Sequence, residues 1–173
     1  MKFFFLSSIF IFVISLNSVN AEQKLVFLDM ERVISTSSSG LSIINQLKDL
    51  SDKNLVLLNK QEKNFKEKET KLISQKNIIS ESEFVNKAEQ LKKEINELNK
   101  SRNKIITDFN KLKIENTNKL LKMINPILIK FSNDNSISLI LQKKDLIIGN
   151  SEFDVTDKIL KIVNNEVKTF KIK

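Results

Sequence analysis

From residue 41 to residue 131 the apolar positions recur in steps of three and four, and only Pro126 strongly opposes a helix. In the second half of this stretch Ala88, Leu91, Ile95, Leu98, Ile105, Phe109 and Leu112 form a seam suited to packing along another helix, interrupted by Arg102. In the first half Leu58, Phe65, Leu72 and Ile79 stand seven apart, but the intervening positions are Gln61, Lys68 and Gln75, so this seam is half as rich. The pattern predicts two amphipathic helices that turn near residues 80–82 and close their seams as an antiparallel hairpin, a coiled-coil arm. At about 1.5 Å per residue, helices of roughly 39 and 49 residues reach about 58 and 73 Å. A pair of helices buries less surface per residue than a globule, so the ends of the chain must supply an anchoring body.

Those ends have a different pattern. Residues 24–30, KLVFLDM, are apolar on both faces, with Leu25 and Phe27 on one and Val26, Leu28 and Met30 on the other, as in a strand buried on two sides. Residues 31–36 fit a short helix, and Ser37, Ser38, Ser39 and Gly40 offer N-cap chemistry for the first arm, with Ser38 or Ser39 the expected cap. Pro126, inside MINPILIKF, predicts a kink or restart near Asn125, because an interior proline costs about 3 kcal/mol unless packing absorbs it. Alternating Ile137, Leu139 and Leu141, a turn at 143–145, and Leu146, Ile147 and Ile148 predict a hairpin of two strands. Asp154 or Thr156 then caps a last helix with an apolar stripe of Ile159, Leu160, Ile162, Val163 and Val167. The expected fold is α+β and mostly α: a helical arm over 41–118 projecting from a small sheet body made by 22–40 and 119–173. The first strand meets the later ones only if the arm is an excursion.

Residues 1–21 read as a secretory signal, with Lys2 ahead of an apolar run and Val19-Asn20-Ala21 placing cleavage after Ala21. The apolar run, about 14 residues, is shorter than the about 20 needed to span a bilayer, and no cysteine follows it to carry a lipid. Loss of Lys2 takes the formal charge from +8 to +7.

Composition narrows the function. Two glycines and one proline in 173 residues imply mostly regular structure. With no His, no Cys, no glycine-rich phosphate loop and no tight acidic cluster, no catalytic residue, metal site or cofactor is assigned. Asp29, Glu31 and Asp154 read as helix caps and solvated surface. The positive charge is spread, +4 over 41–118 and +3 over the rest of the mature chain, so it makes no patch for nucleic acid. The charges crowded around Phe65, from Lys60 to Lys71, read as a solvated helix face with pairs worth about 0.2–0.5 kcal/mol each. They also read as a contact surface for a client or, transiently, a membrane.

Three segments carry a family likeness. LVFLDMERV (25–33), INPILIKFSNDNSISLIL (124–141) and LIIGNSEFDVTDKILKIVN (146–164) resemble the first strand, the helix-end-to-strand passage and the opening of the final helix of the Skp/OmpH family of periplasmic chaperones. Asn135-Ser136 departs from it, since family members often carry a glycine and an aromatic there. The resemblance implies a homotrimer whose strands assemble a barrel-like body, with arms around a cavity that holds unfolded outer-membrane proteins without ATP. Candidate body residues are Leu25, Phe27, Ile137, Leu139, Leu141 and Ile147; candidate client contacts are Lys66, Lys71, Lys76, Phe84 and Lys87. A client-free spacer of the cell envelope is the alternative, and a basic nucleic-acid-binding protein a more distant one.

Overall fold

The computed structural model describes residues 23–173, so the predicted signal sequence lies outside the described residues. Strand β1 (Lys24–Leu28) leads into a short helix α1 (Met30–Thr36), then the long helices α2 (Ser38–Ser74) and α3 (Glu81–Asp134). Strand β2 (Ile137–Gln142) follows, then two short 3-10 turns (Lys143–Asp145 and Ser151–Phe153) and helix α4 (Thr156–Glu166).

Local chemistry sets these boundaries. The Arg32 amide donates to Asp29 Oδ1 at 2.8 Å and starts α1. Ser37 both ends α1 and caps α2, accepting from the Gly40 amide at 3.1 Å. The cap is therefore neither Ser38 nor Ser39: Ser38 is already helical, and the Ser39 hydroxyl donates instead to the Val167 carbonyl at 2.8 Å. The one-residue joint brings α2 so close to α1 that a Cβ at Gly40 would overlap the Ile34 carbonyl, so only glycine fits.

Helices α2 and α3 contain 37 and 54 residues, about 55 and 80 Å at about 1.5 Å per residue. They pack as an antiparallel hairpin turning through residues 75–80, where Ser80 caps α3 by accepting from the Glu83 amide at 3.3 Å. Of the kink or restart expected at Pro126, the restart does not occur, and α3 runs through it as one helix. Pro126 faces solvent, while its neighbours Ile124 and Ile127 are buried in the core and keep the helix continuous past it.

The sheet differs from expectation. Among the described residues it has two strands, β1 and β2, paired in parallel with Leu25 opposite Leu139 and Phe27 opposite Leu141. It is open and not closed into a barrel, and the expected strand hairpin is absent: Gln142 leads into a 3-10 turn, and residues 146–150 form no strand. A further single bridge joins Phe27 to Asp154. The register slips between Lys24 and Leu25, which turns Ile137 into the core while Leu139 and Leu141 face outward.

One core joins both chain ends. Val26, Leu28, Val33, Ile43, Leu47, Leu120, Ile124, Ile127, Ile137, Val155, Ile159, Val163 and Val167 are buried together, with Leu160 and Ile162 packed at its edge. The α4 stripe meets the hairpin ends here, and Asp29 donates its amide to Thr156 Oγ1 at 2.9 Å, tying the start of α1 to the start of α4.

Candidate functional site

Beyond Leu47 on α2 and Asn116 on α3, no residue of the hairpin is fully buried. Leu58, Phe65, Leu72 and Ile79 face Ala88, Leu91, Ile95, Leu98 and Ile105, all half-buried. Of the polar positions in the weaker seam, Lys68 is bridged from the opposite helix. Lys68 Nζ reaches Glu94 at 2.6 Å and lies 5.3 Å from the Phe65 ring centre. Arg102, the interruption in the second seam, reaches Glu62 at 3.3 Å. The hydrogen bond from Lys68 holds the Glu94 carboxyl below its ordinary range, although partial desolvation opposes it. Gln61 Oε1 is buried without a partner, so this mid-hairpin layer is incompletely satisfied.

The predicted client contacts are dispersed over the far half of the hairpin. Lys66 and Lys71 are exposed on α2, Lys76 lies in the turn, and Phe84 is half-buried in the first turn of α3. Lys87 pairs with Glu83 at 2.8 Å. Lys71 and Lys87 flank one cleft with Leu72 and Leu91; Lys66 lines another with Phe65 and Leu98. The geometry adds a feature that sequence reasoning missed: Leu55, Val56 and Leu57 are consecutive and all about half or more exposed, and Ile106 joins Leu55 around a shared cleft. The signal was present as the run Leu55-Val56-Leu57-Leu58, because four successive apolar residues on a helix cannot all point into one seam.

The second surface is the outer face of the sheet. Leu25, Phe27, Leu141, Leu146, Ile148 and Phe153 line an apolar cleft of about 740 Å³. Phe27 is buried beneath residue 149, where a Cβ would lie 2.8 Å from its ring, and the Lys143 ammonium sits 5.8 Å from its ring centre. Lys143 also pairs with Asp154 at 2.8 Å. Burial pushes the Asp154 carboxyl up, but hydrogen bonds from Lys143 and from the Thr156 hydroxyl and amide outweigh it and hold the group below its ordinary value. Of the candidate body residues, Leu25, Phe27 and Leu141 share the cleft, and Leu139 is exposed on the same side. Ile137 belongs to the core, and Ile147 is wholly exposed.

Among the described residues no cluster of acidic side chains is placed to hold a metal ion, and no helix is long and apolar enough to cross a membrane. No curated protein matches the chain in sequence. The fold is similar to the crystal structure of an OmpH-like protein from Caulobacter crescentus CB15, with a TM-score of 0.80 at 14% identity over 87% of this chain and 89% of that one. The family model "Outer membrane protein (OmpH-like)" matches residues 24–163, from the first strand to the last turns of α4. With that match spanning most of its length, the chain belongs to the OmpH-like family, the Skp/OmpH periplasmic chaperones, and is not an enzyme.

Proposed function

We propose that this chaperone is an ATP-independent holdase that keeps unfolded outer-membrane proteins from aggregating in a cavity between helical arms. In this reading it is exported by a signal sequence cleaved after Ala21, residues 41–118 are the arm, and residues 22–40 with 119–173 are the body. The body assembles as a homotrimer. Support for assembly comes from the outer sheet face: Leu25 and Leu139 are about half exposed, beside an apolar cleft, on a two-stranded sheet too small to be robust alone. Three chains covering one another's faces remove that exposure and protect the strand edges.

The observation that carries client binding is the pairing, on one hairpin, of exposed apolar side chains with dense charge. Leu55, Val56, Leu57 and Ile106 give an extended client chain places to bury its own apolar residues, while Lys66, Lys71, Lys76 and Lys87 add flexible stems and positive charge. Many weak contacts suit clients of differing sequence. The experiment is to dilute a urea-unfolded outer-membrane protein into buffer with the chaperone, without ATP, and to measure turbidity and complex mass. Suppressed aggregation with one client per three chains is expected. An envelope spacer would leave aggregation unchanged, and a folded monomer by light scattering at micromolar concentration would remove the trimer.

A further inference from the structure

Past α4 the chain does not end at the core but continues across the base of the hairpin. The Val167 carbonyl accepts from the buried Ser39 hydroxyl at 2.8 Å. The Gln46 side-chain amide then reads the backbone of the tail in both directions: its Nε2 donates to the Phe170 carbonyl at 2.9 Å, and its Oε1 accepts from the Ile172 amide at 3.2 Å. Phe170 and Ile172 turn inward onto the core, while Thr169, Lys171 and Lys173 face out, the alternation of an extended segment over 169–173. Lys119 of α3 closes the other side, with Nζ 4.2 Å from the Phe170 ring centre. Asn164 of α4 fastens the same corner, accepting from the Ser38 amide at 2.8 Å.

The position of this crossing matters. It touches α2 at Ser39 and Gln46 and α3 at Lys119, the level at which burial changes from the complete enclosure of Ile43, Leu47, Asn116 and Leu120 to the half-exposure of the free hairpin. A bending motion of the hairpin must pivot near this level, because farther out there is no body to bend against. We propose that residues 168–173, leading from the buried Val167, are a strap that clamps both hairpin helices at their root and restricts the swing of the hairpin against the body. The clamp recognises tail backbone through one glutamine and holds only two half-buried side chains, so it is a restraint that opens without unfolding the core.

The test uses the full chain with Gln46→Leu, which keeps an aliphatic side chain one atom shorter and loses both bonds to the tail backbone, beside a chain ending at Val167. Amide hydrogen exchange is followed in residues 48–60 and 105–118 and in β1 and β2. The chain has no cysteine, so Lys60→Cys and Lys161→Cys also permit spin labels on the hairpin and on α4, with labelled chains diluted in unlabelled ones to isolate the distance within one chain. Both changes are expected to speed exchange at the root about three- to tenfold, the effect of losing about one net hydrogen bond, and to broaden the label distances, with β1 and β2 unaltered. Unchanged exchange and unchanged distances overturn the strap. Equal acceleration in β1 and β2 overturns it too, since the tail would then be a part of the core. Should the truncated chain fail to fold, Gln46→Leu decides alone.

Discussion

Ser136 holds a φ of 52°, in the left-handed region where a side chain is strained by about 1–2 kcal/mol, to turn the chain from α3 into β2. Ser136→Gly should therefore raise stability by about 1 kcal/mol, measurable as an increase in thermal midpoint, and a lower midpoint would show that the serine hydroxyl matters more than the strain. The sequence marked this position only as a departure from a family pattern; the backbone angle explains why glycine suits it. Ser37 was less legible, because three successive serines satisfy the same cap rule and only the tight α1–α2 joint selects among them. Asp154 gives a pH test. Its folded carboxyl lies below the ordinary value, so its contribution is present above about pH 4 and is lost as pH falls through the folded value. The midpoint difference between the parent and Asp154→Asn should be steady from pH 5 to 8 and shrink in more acidic buffer; a difference that grew there would refute the assignment.

At the scale of elements, the helices were readable because a seam at three- and four-residue steps has one main meaning, packing along another helix. The strands were readable only in part: β1 and β2 form where the pattern placed them, and the third expected strand does not. Leu146, Ile147 and Ile148 looked like a strand because an apolar run signals burial, yet Ile147 and Ile148 are exposed and no strand forms. Burial within one chain and burial between chains leave the same mark in a sequence. The hairpin beyond Leu47 and Asn116 has only half-buried seams and an unsatisfied Gln61, which gives low local stability. Amides of residues 60–95 should exchange far faster than those of β1 and β2; uniformly slow exchange would describe a rigid rod and favour the spacer reading. On the outer sheet face, Leu139→Asp places a charge where Leu25 is its cross-strand neighbour, and it should split the assembly and lower stability together. Intact trimers of that variant in light scattering would move the interface elsewhere.

For the whole molecule, the proposed trimer of chains lacking residues 1–21 would carry three times +7, or +21, enough to steer an acidic unfolded chain from a distance. The Debye length falls from about 10 Å at 0.1 M salt to about 3 Å at 1 M, so stopped-flow capture should slow with salt while equilibrium binding persists through apolar contacts. Lys76→Glu alone should change little. Reversing Lys66, Lys71, Lys76 and Lys87 together alters each chain by −8 and should slow capture clearly; a rate indifferent to both salt and the reversal would exclude steering. Any requirement for ATP would exclude a passive holdase.

Strands β1 and β2 are neighbours in space, yet the whole hairpin lies between them in the chain. Closing a flexible loop of that length is entropically costly, and non-local pairing of this kind usually makes folding slow. The hairpin changes the problem, because two helices that zip from a local turn would carry the root of the hairpin, where residues 47 and 116 are buried, to the place where the strands must meet. Once zipped, it leaves only short segments to search. A hairpin that zips first would thus be a folding template for its own body. A mid-hairpin break such as Leu91→Pro should then delay strand pairing in refolding kinetics, although residue 91 lies far along the sequence from either strand.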